Sequence, residues 1–290
     1  MWEQLIWGAL LPGAISAAIW AYCIKPWKRD AVPRAGGSLA IAMGYIFGHV
    51  AIEAPYVGGD VVAWLPFFAV FGAALGIIEF TIEFTMAKHA AAIIIIKLAV
   101  SFLLAFAILY LLPALRDGES GVFLITLAAT AILSFMVWFA AARFAESVSG
   151  PIPGFYLWLC AAGSAGIILQ SGNAKLAQLL GACAAGVAPS AICGFFSKAP
   201  LHSRGSTATF FIIYNSAITI ALFFGDLPKM SAVFMGAAPA AGFVIFPVML
   251  KYRGASHAHP RWTYAAGFLS IAAMLGAAYA LLPKSEPTGY

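Results

Sequence analysis

Ten runs of about 20 mostly apolar residues follow one another along this chain, near 4–24, 37–55, 62–84, 89–113, 121–145, 153–170, 174–196, 206–224, 230–250 and 262–282. A helix of about 20 apolar residues is what the roughly 30 Å hydrocarbon core of a bilayer requires. The connections between the runs never exceed about a dozen residues. The chain therefore reads as an all-α, polytopic transmembrane helix bundle of ten spans. It forms a single domain over 1–290, with no room for a soluble one.

Composition agrees. Apolar residues make up 63% of the chain and charged residues 9%. Soluble domains run near 45–50% and about 25%. So few charges cannot cover a water-facing surface of this size, which excludes a soluble enzyme or a nucleic-acid binder. The net charge of +5 does not reopen the second class, because the basic residues sit at the ends of apolar runs and not on one face. Cys23, Cys160, Cys183 and Cys193 lie in or beside apolar runs without CxxC spacing. They read as small apolar residues, not as disulfides or zinc ligands.

The breaks carry turn chemistry, as in Gly58-Gly59-Asp60, Gly150-Pro151-Ile152-Pro153 and Asp226-Leu227-Pro228-Lys229. The weakest boundary is the sixth, where only Ser171-Gly172-Asn173 intervenes. Ten spans also sort the basic residues. Lys25, Lys28, Arg29, Arg34, Lys88, Arg143, Lys198, Arg204, Lys251, Arg253 and Arg261 fall on one side. Only Arg116, Lys175, Lys229 and Lys284 fall on the other, with Lys97 left inside a span. The positive-inside rule then predicts both termini outside the cytoplasm. The first run is expected to stay as a span, since it lacks a basic leader and follows Glu3. Trp2, Trp27, Trp64 and Trp262 stand near span ends, as interfacial tryptophans do.

Ionisable groups at membrane depth are costly and mark sites by default. His49 and Glu53 lie four apart on the second span, towards its outer end, and Glu79 and Glu83 four apart on the third, towards its inner end. That spacing puts each pair on one helix face. Lys97 is the ninth residue of the fourth span. Counting nine residues each way from the turn at Lys88 sets Glu79 level with Lys97, so an ion pair is expected there. A lysine at that depth must find a carboxylate or lose its proton.

Each group has two readings. Glu79 and Lys97 lock two helices together, or gate the inner side. Glu83 and Glu53 are solvated at the two interfaces, and His49 is a hydrogen-bonded core histidine, or else His49, Glu53, Glu79 and Glu83 form a proton or solute relay. Carboxylates in apolar surroundings can exchange protons near neutral pH. The eighth span carries Tyr214, Asn215, Ser216 and Thr219, where Asn215 is either a solute contact or glue between helices. Pro189 and Pro239 lie inside spans, and the small residues of 236–242 fit close packing or a broken helix.

No enzyme signature survives inspection. HExxH is absent, and His257-x-His259 is a weak metal signal. Gly163-Ser164-Ala165-Gly166 misplaces the serine of an intramembrane protease nucleophile, and Asp60 and Asp226 lie in loops. The Glu79-x-x-x-Glu83 spacing is similar to the acidic pair of lipid pyrophosphate phosphatases. A pyrophosphate needs arginines, and none lies deep within a span, Arg143 standing at an inner end.

The stretch Gly44-Tyr45-Ile46-Phe47-Gly48-His49, followed by Trp64-Leu65-Pro66 and Gly76-Ile77-Ile78-Glu79, resembles a family of uncharacterised bacterial polytopic membrane proteins. The resemblance spans the first third of the chain and implies no known activity. Ten spans in this length also resemble the drug/metabolite transporters, from which outside termini depart. No repeat relates 1–150 to 151–290.

The sequence thus points to a bacterial cytoplasmic-membrane permease for a small solute, coupled to protons through intramembrane Glu and His, with Glu79 and Lys97 as a charge pair gating the inner side and His49 and Glu53 as the outer proton or solute site. The alternative is a non-transporting subunit or scaffold of a larger membrane complex. Neither reading calls for a cofactor, a metal or nucleic acid. The expected partners are the bilayer and a small solute or proton, with other subunits or further copies of the chain under the alternative.

Overall fold

The computed structural model describes residues 6–24, 36–52, 61–85, 90–111, 120–148, 150–196, 204–253 and 260–283. They hold ten helices and no strand. The helices are α1 (Leu11–Ile24), α2 (Gly36–Ile52), α3 (Leu65–Thr85), α4 (Ala90–Tyr110), α5 (Ser120–Ser147), α6 (Ile152–Gln170), α7 (Ala174–Gly194), α8 (Arg204–Phe224), α9 (Lys229–Arg253) and α10 (Pro260–Ala280). A π-helical turn, Ile6–Leu10, leads into α1, and a 3-10 turn, Val61–Trp64, leads into α3. Six of the helices, α3 to α8, are long and apolar enough to cross a membrane. The remaining four carry shorter apolar stretches of 10–17 residues. Such segments form helices because lipid offers no hydrogen bonds, so each backbone group must be satisfied within its own segment.

Helix α8 is the hub of the bundle. It packs on α3 most extensively and also meets α2, α4, α5, α6, α7 and α9. Between 206 and 221 every residue of α8 is buried except Asn215. Aromatic rings tie the hub to its neighbours: Phe144 of α5 stacks on Tyr156 of α6 at 5.3 Å, and Phe243 of α9 meets Phe144, Tyr156 and Phe211. Tyr214 of α8 donates to the Met235 carbonyl at 2.8 Å and shares a hydrogen bond with Ser164 Oγ at 2.9 Å, joining α8 to α9 and α6.

Small residues set the closest approaches, as they do between membrane helices in general. Gly44 and Gly48, one turn apart on α2, press against α1 and α7. A Cβ on Gly44 would lie 2.9 Å from the Pro12 carbonyl oxygen, and one on Gly48 would lie 2.7 Å from Ala182 Cβ. The same contact lets Ser16 of α1 donate to the Gly186 carbonyl of α7. The small run at 236–242 also serves packing. Helix α9 continues unbroken through Pro239, and Gly242 lies against Ile271 of α10. Helix α7 likewise continues through Pro189.

The short sixth connection is a real turn. Gly172 takes φ +95°, which side chains rarely adopt, and Asn173 Oδ1 accepts the Leu176 N–H at 3.0 Å as the N-cap of α7. Cys160 and Cys183 are buried and unbridged, and Cys193 is partly buried and unbridged. The side chain of Cys23 lies outside the described residues, as do Lys88, Asp60, His257 and His259.

Candidate functional site

The deepest charges meet. Nζ of Lys97 lies 2.7 Å from Oε1 of Glu79, and both side chains are buried. Glu79 stands six residues before the end of α3 and Lys97 seven residues after the start of α4. At 1.5 Å per residue, both are about 10 Å inside their helix ends. Equal depth on consecutive helices is what makes the pairing geometrically available.

The helices that carry the pair barely touch each other. Helix α3 leans on α8 and α2, and α4 leans on α5, with α3 and α4 diverging between them. The ion pair bridges the resulting crevice. Its walls include Leu75 and Ile78 from α3 and Ile93 and Ile96 from α4, with Trp138 of α5 as a further lining residue. It encloses about 330 Å³, counting its open mouth. Ile78 and Ile96 are exposed at its rim. Lys97 Nζ also sits over the Trp138 indole, 5.1 Å from the ring centroid, within reach of a cation–π attraction. The lysine therefore meets both a carboxylate and an aromatic face in a setting with almost no polar surface.

A second, smaller cavity lies on α4, α5 and α8. Its polar lining is Ser101, Ser134, Trp138 and Asn215, and it encloses about 200 Å³ counting its mouth. Trp138 borders both cavities. Ser101 is one turn beyond Lys97 on α4, and Ser134 is one turn before Trp138 on α5, so each helix presents a two-residue polar stripe. Ser101, Ser134 and Asn215 each fall within about one residue of the midpoint of their helices. Mid-height is where discontinuous helices place substrate sites in transporters. These helices are continuous, so here the depth alone corresponds.

His49 stands apart from this arrangement. It is buried near the end of α2, with the Tyr45 hydroxyl 3.4 Å from Nδ1, whereas Glu79 lies towards the end of α3. Glu53 lies outside the described residues. Glu83 is within α3, and its side chain lies outside them as well. Asn215 faces the second cavity. Among the described residues no group of three His, Cys, Asp or Glu side chains could hold a metal ion.

Ser101, Ser134 and Trp138 escaped the sequence reading, which weighed uncharged polar groups on the eighth span and tryptophans only near span ends. Their signal was the four-residue spacing of Lys97 to Ser101 and of Ser134 to Trp138. Recognising it needed the knowledge that α4 and α5 are neighbours. Comparison with known protein families, curated proteins and solved structures finds no match to this chain. What the fold establishes is the class: an all-helical protein with several apolar helices that fit a multi-pass membrane protein.

Proposed function

We propose that the chain is a small-solute permease of the bacterial cytoplasmic membrane, with ten spans and both termini outside, and that it is coupled to protons through Glu79. The observation that carries this reading is the Glu79–Lys97 pair, buried at 2.7 Å across a crevice and adjoining a polar cavity at mid-height. A purely structural lock has no need of the crevice. The two helices would pack more tightly around an apolar contact, and replacing a buried ion pair by apolar residues is often neutral or stabilising.

The chemistry follows from charge balance. With Glu79 ionised, the pair is close to neutral and stable in a poorly polarisable setting. A proton arriving at Glu79 removes the negative charge that faces Lys97 at 2.7 Å and leaves its contact with the Trp138 face in place. That imbalance favours a rearrangement of α3 against α4, two consecutive helices with little direct packing between them. Proton binding is thereby linked to the opening of the inner side. His49 and Glu53 serve as the outer proton or solute site, Glu83 as the inner end of the relay, and Asn215 as a solute contact.

The test is proton uptake into vesicles containing purified protein, followed with an entrapped pH-sensitive dye. Wild-type protein gives uptake above that of empty vesicles, and Glu79→Gln removes most of it. Equal uptake by wild type, variant and empty vesicles contradicts the reading. The rival reading, a scaffold subunit, rests on the bridging geometry of the same pair. It predicts stoichiometric co-purification with other polypeptides and no uptake.

A further inference from the structure

The second cavity holds two buried polar groups without protein partners. Trp138 Nε1 and Ser101 Oγ are both shielded, and neither makes a hydrogen bond among the described residues. Neither member of the ion pair supplies what they lack. Lysine has no acceptor, and Lys97 lies over the indole face whereas the indole N–H points out in the ring plane. Other buried hydroxyls nearby are satisfied by their own helices: Ser216 donates to the Ile212 carbonyl at 2.6 Å and Thr219 to the Asn215 carbonyl at 2.7 Å. Ser38 Oγ of α2 is also without a hydrogen bond, but only where α4, α5 and α8 meet do two such groups, Ser101 Oγ and Trp138 Nε1, belong to residues that line one cavity among those described.

Two unmet groups on different helices, facing one small cavity, are unfavourable if the cavity is dry. A buried water needs space of about its own size and two to four polar partners. The cavity has room for about one water, and Ser101, Ser134, Trp138 and Asn215 supply the partners. Asn215 adds a second line of evidence. It is the only residue between 206 and 221 of the hub helix that is not buried, and it lines this cavity.

We infer that a water molecule is bound at mid-height between Ser101, Trp138 and Asn215, and that it extends the polar path from the Glu79–Lys97 pair to the centre of the bundle. It accepts from the Trp138 N–H, exchanges hydrogen bonds with the Ser101 hydroxyl, and donates to the Asn215 amide oxygen. The hydration stands independently of the permease reading. Its role as a station for protons rests on that reading.

The test uses the full chain in lipid nanodiscs with 15N-labelled tryptophan. Indole protons are observed by NMR, and the Trp138 signal is assigned through Trp138→Phe. The expected result is magnetisation transfer from water to the Trp138 indole proton in wild type, lost in Ser101→Val, which fills the cavity. Asn215→Leu, on a different helix, weakens it as well and covers the case in which Ser101→Val does not fold. Absence of transfer at Trp138, with transfer present at the exposed Trp64, overturns the site. Proton uptake measured on the same preparations separates the two ideas: water contact with no uptake in wild type defeats the permease reading and leaves the site intact.

Discussion

Lys97 reaches Glu79 across a gap between two consecutive helices that scarcely pack on each other, and the 2.7 Å contact is the principal link between them. The energetic consequence is asymmetric. Removing one partner takes from the other buried charge its counter-charge at 2.7 Å, at a cost of about 3–5 kcal/mol, whereas removing both removes the imbalance. Lys97→Met and Glu79→Gln are each expected to lower the thermal midpoint in detergent, Lys97→Met more because it takes the cation from the carboxylate. The double variant should recover much of the loss. A double variant no more stable than the worse single one contradicts the pairing.

The contact of α2 with α1 and α7 depends on Gly44 and Gly48. A methyl group at Gly48 would sit 2.7 Å from both Ala182 Cβ and Pro12 Cγ, so the backbones must move to admit it. Gly48→Ala is expected to destabilise by about 1–3 kcal/mol, the usual range for overpacking. Ala182→Gly in the same chain should restore part of that loss. Thermal unfolding of the wild type and the two variants measures it.

Tyr214 joins α8 to α6 and α9 with one hydroxyl. Tyr214→Phe keeps the ring and removes both hydrogen bonds. Interhelical hydrogen bonds within membranes are worth about 0.6–2 kcal/mol, so a loss of that order is expected. Ser164→Ala should add little further in the Tyr214→Phe background, because the two changes remove the same bond. Strict additivity of the two losses contradicts the shared network.

Cys160 and Cys183 have no exposed surface. In a chain carrying Cys23→Ser, a membrane-permeant maleimide should leave both unmodified until the protein is denatured, as peptide mass analysis will show. Labelling of either in the native state contradicts the packing of α6 on α7.

Much of the bundle was legible in the sequence because lipid imposes a simple rule: an apolar run of sufficient length has no option but to become a helix. The ten helices coincide with the ten runs to within a few residues at most boundaries. The main departures are α1, whose regular part starts only at Leu11 after a π-turn, and α9, which runs on to Arg253. The register of Glu79 and Lys97 could be counted because both lie on helices joined at Lys88, so depth alone fixes which residues are level. What counting could not supply was lateral position. That α3 packs chiefly on α8 and α4 chiefly on α5, with little contact between α3 and α4, is not written in either segment alone. For the same reason Ser101, Ser134 and Trp138 carried no visible meaning until α4, α5 and α8 were placed side by side. Asn215 was noticed for its amide, but its access to a cavity is a property of three helices together.

The central claim is that Glu79 and Lys97 form a proton-responsive link and not only a brace. Exchanging the two charges, as Glu79→Lys with Lys97→Glu, keeps a salt bridge in the same crevice but moves the carboxylate to α4. The decisive measurement is proton uptake by vesicles containing this swapped protein, beside wild type and with thermal stability recorded for both. The account predicts a folded protein near wild-type stability with uptake reduced at least about tenfold, equivalent to about 1.4 kcal/mol in the transport barrier. Stability and uptake both at wild-type level would contradict it, and would leave the pair as a lock between two helices.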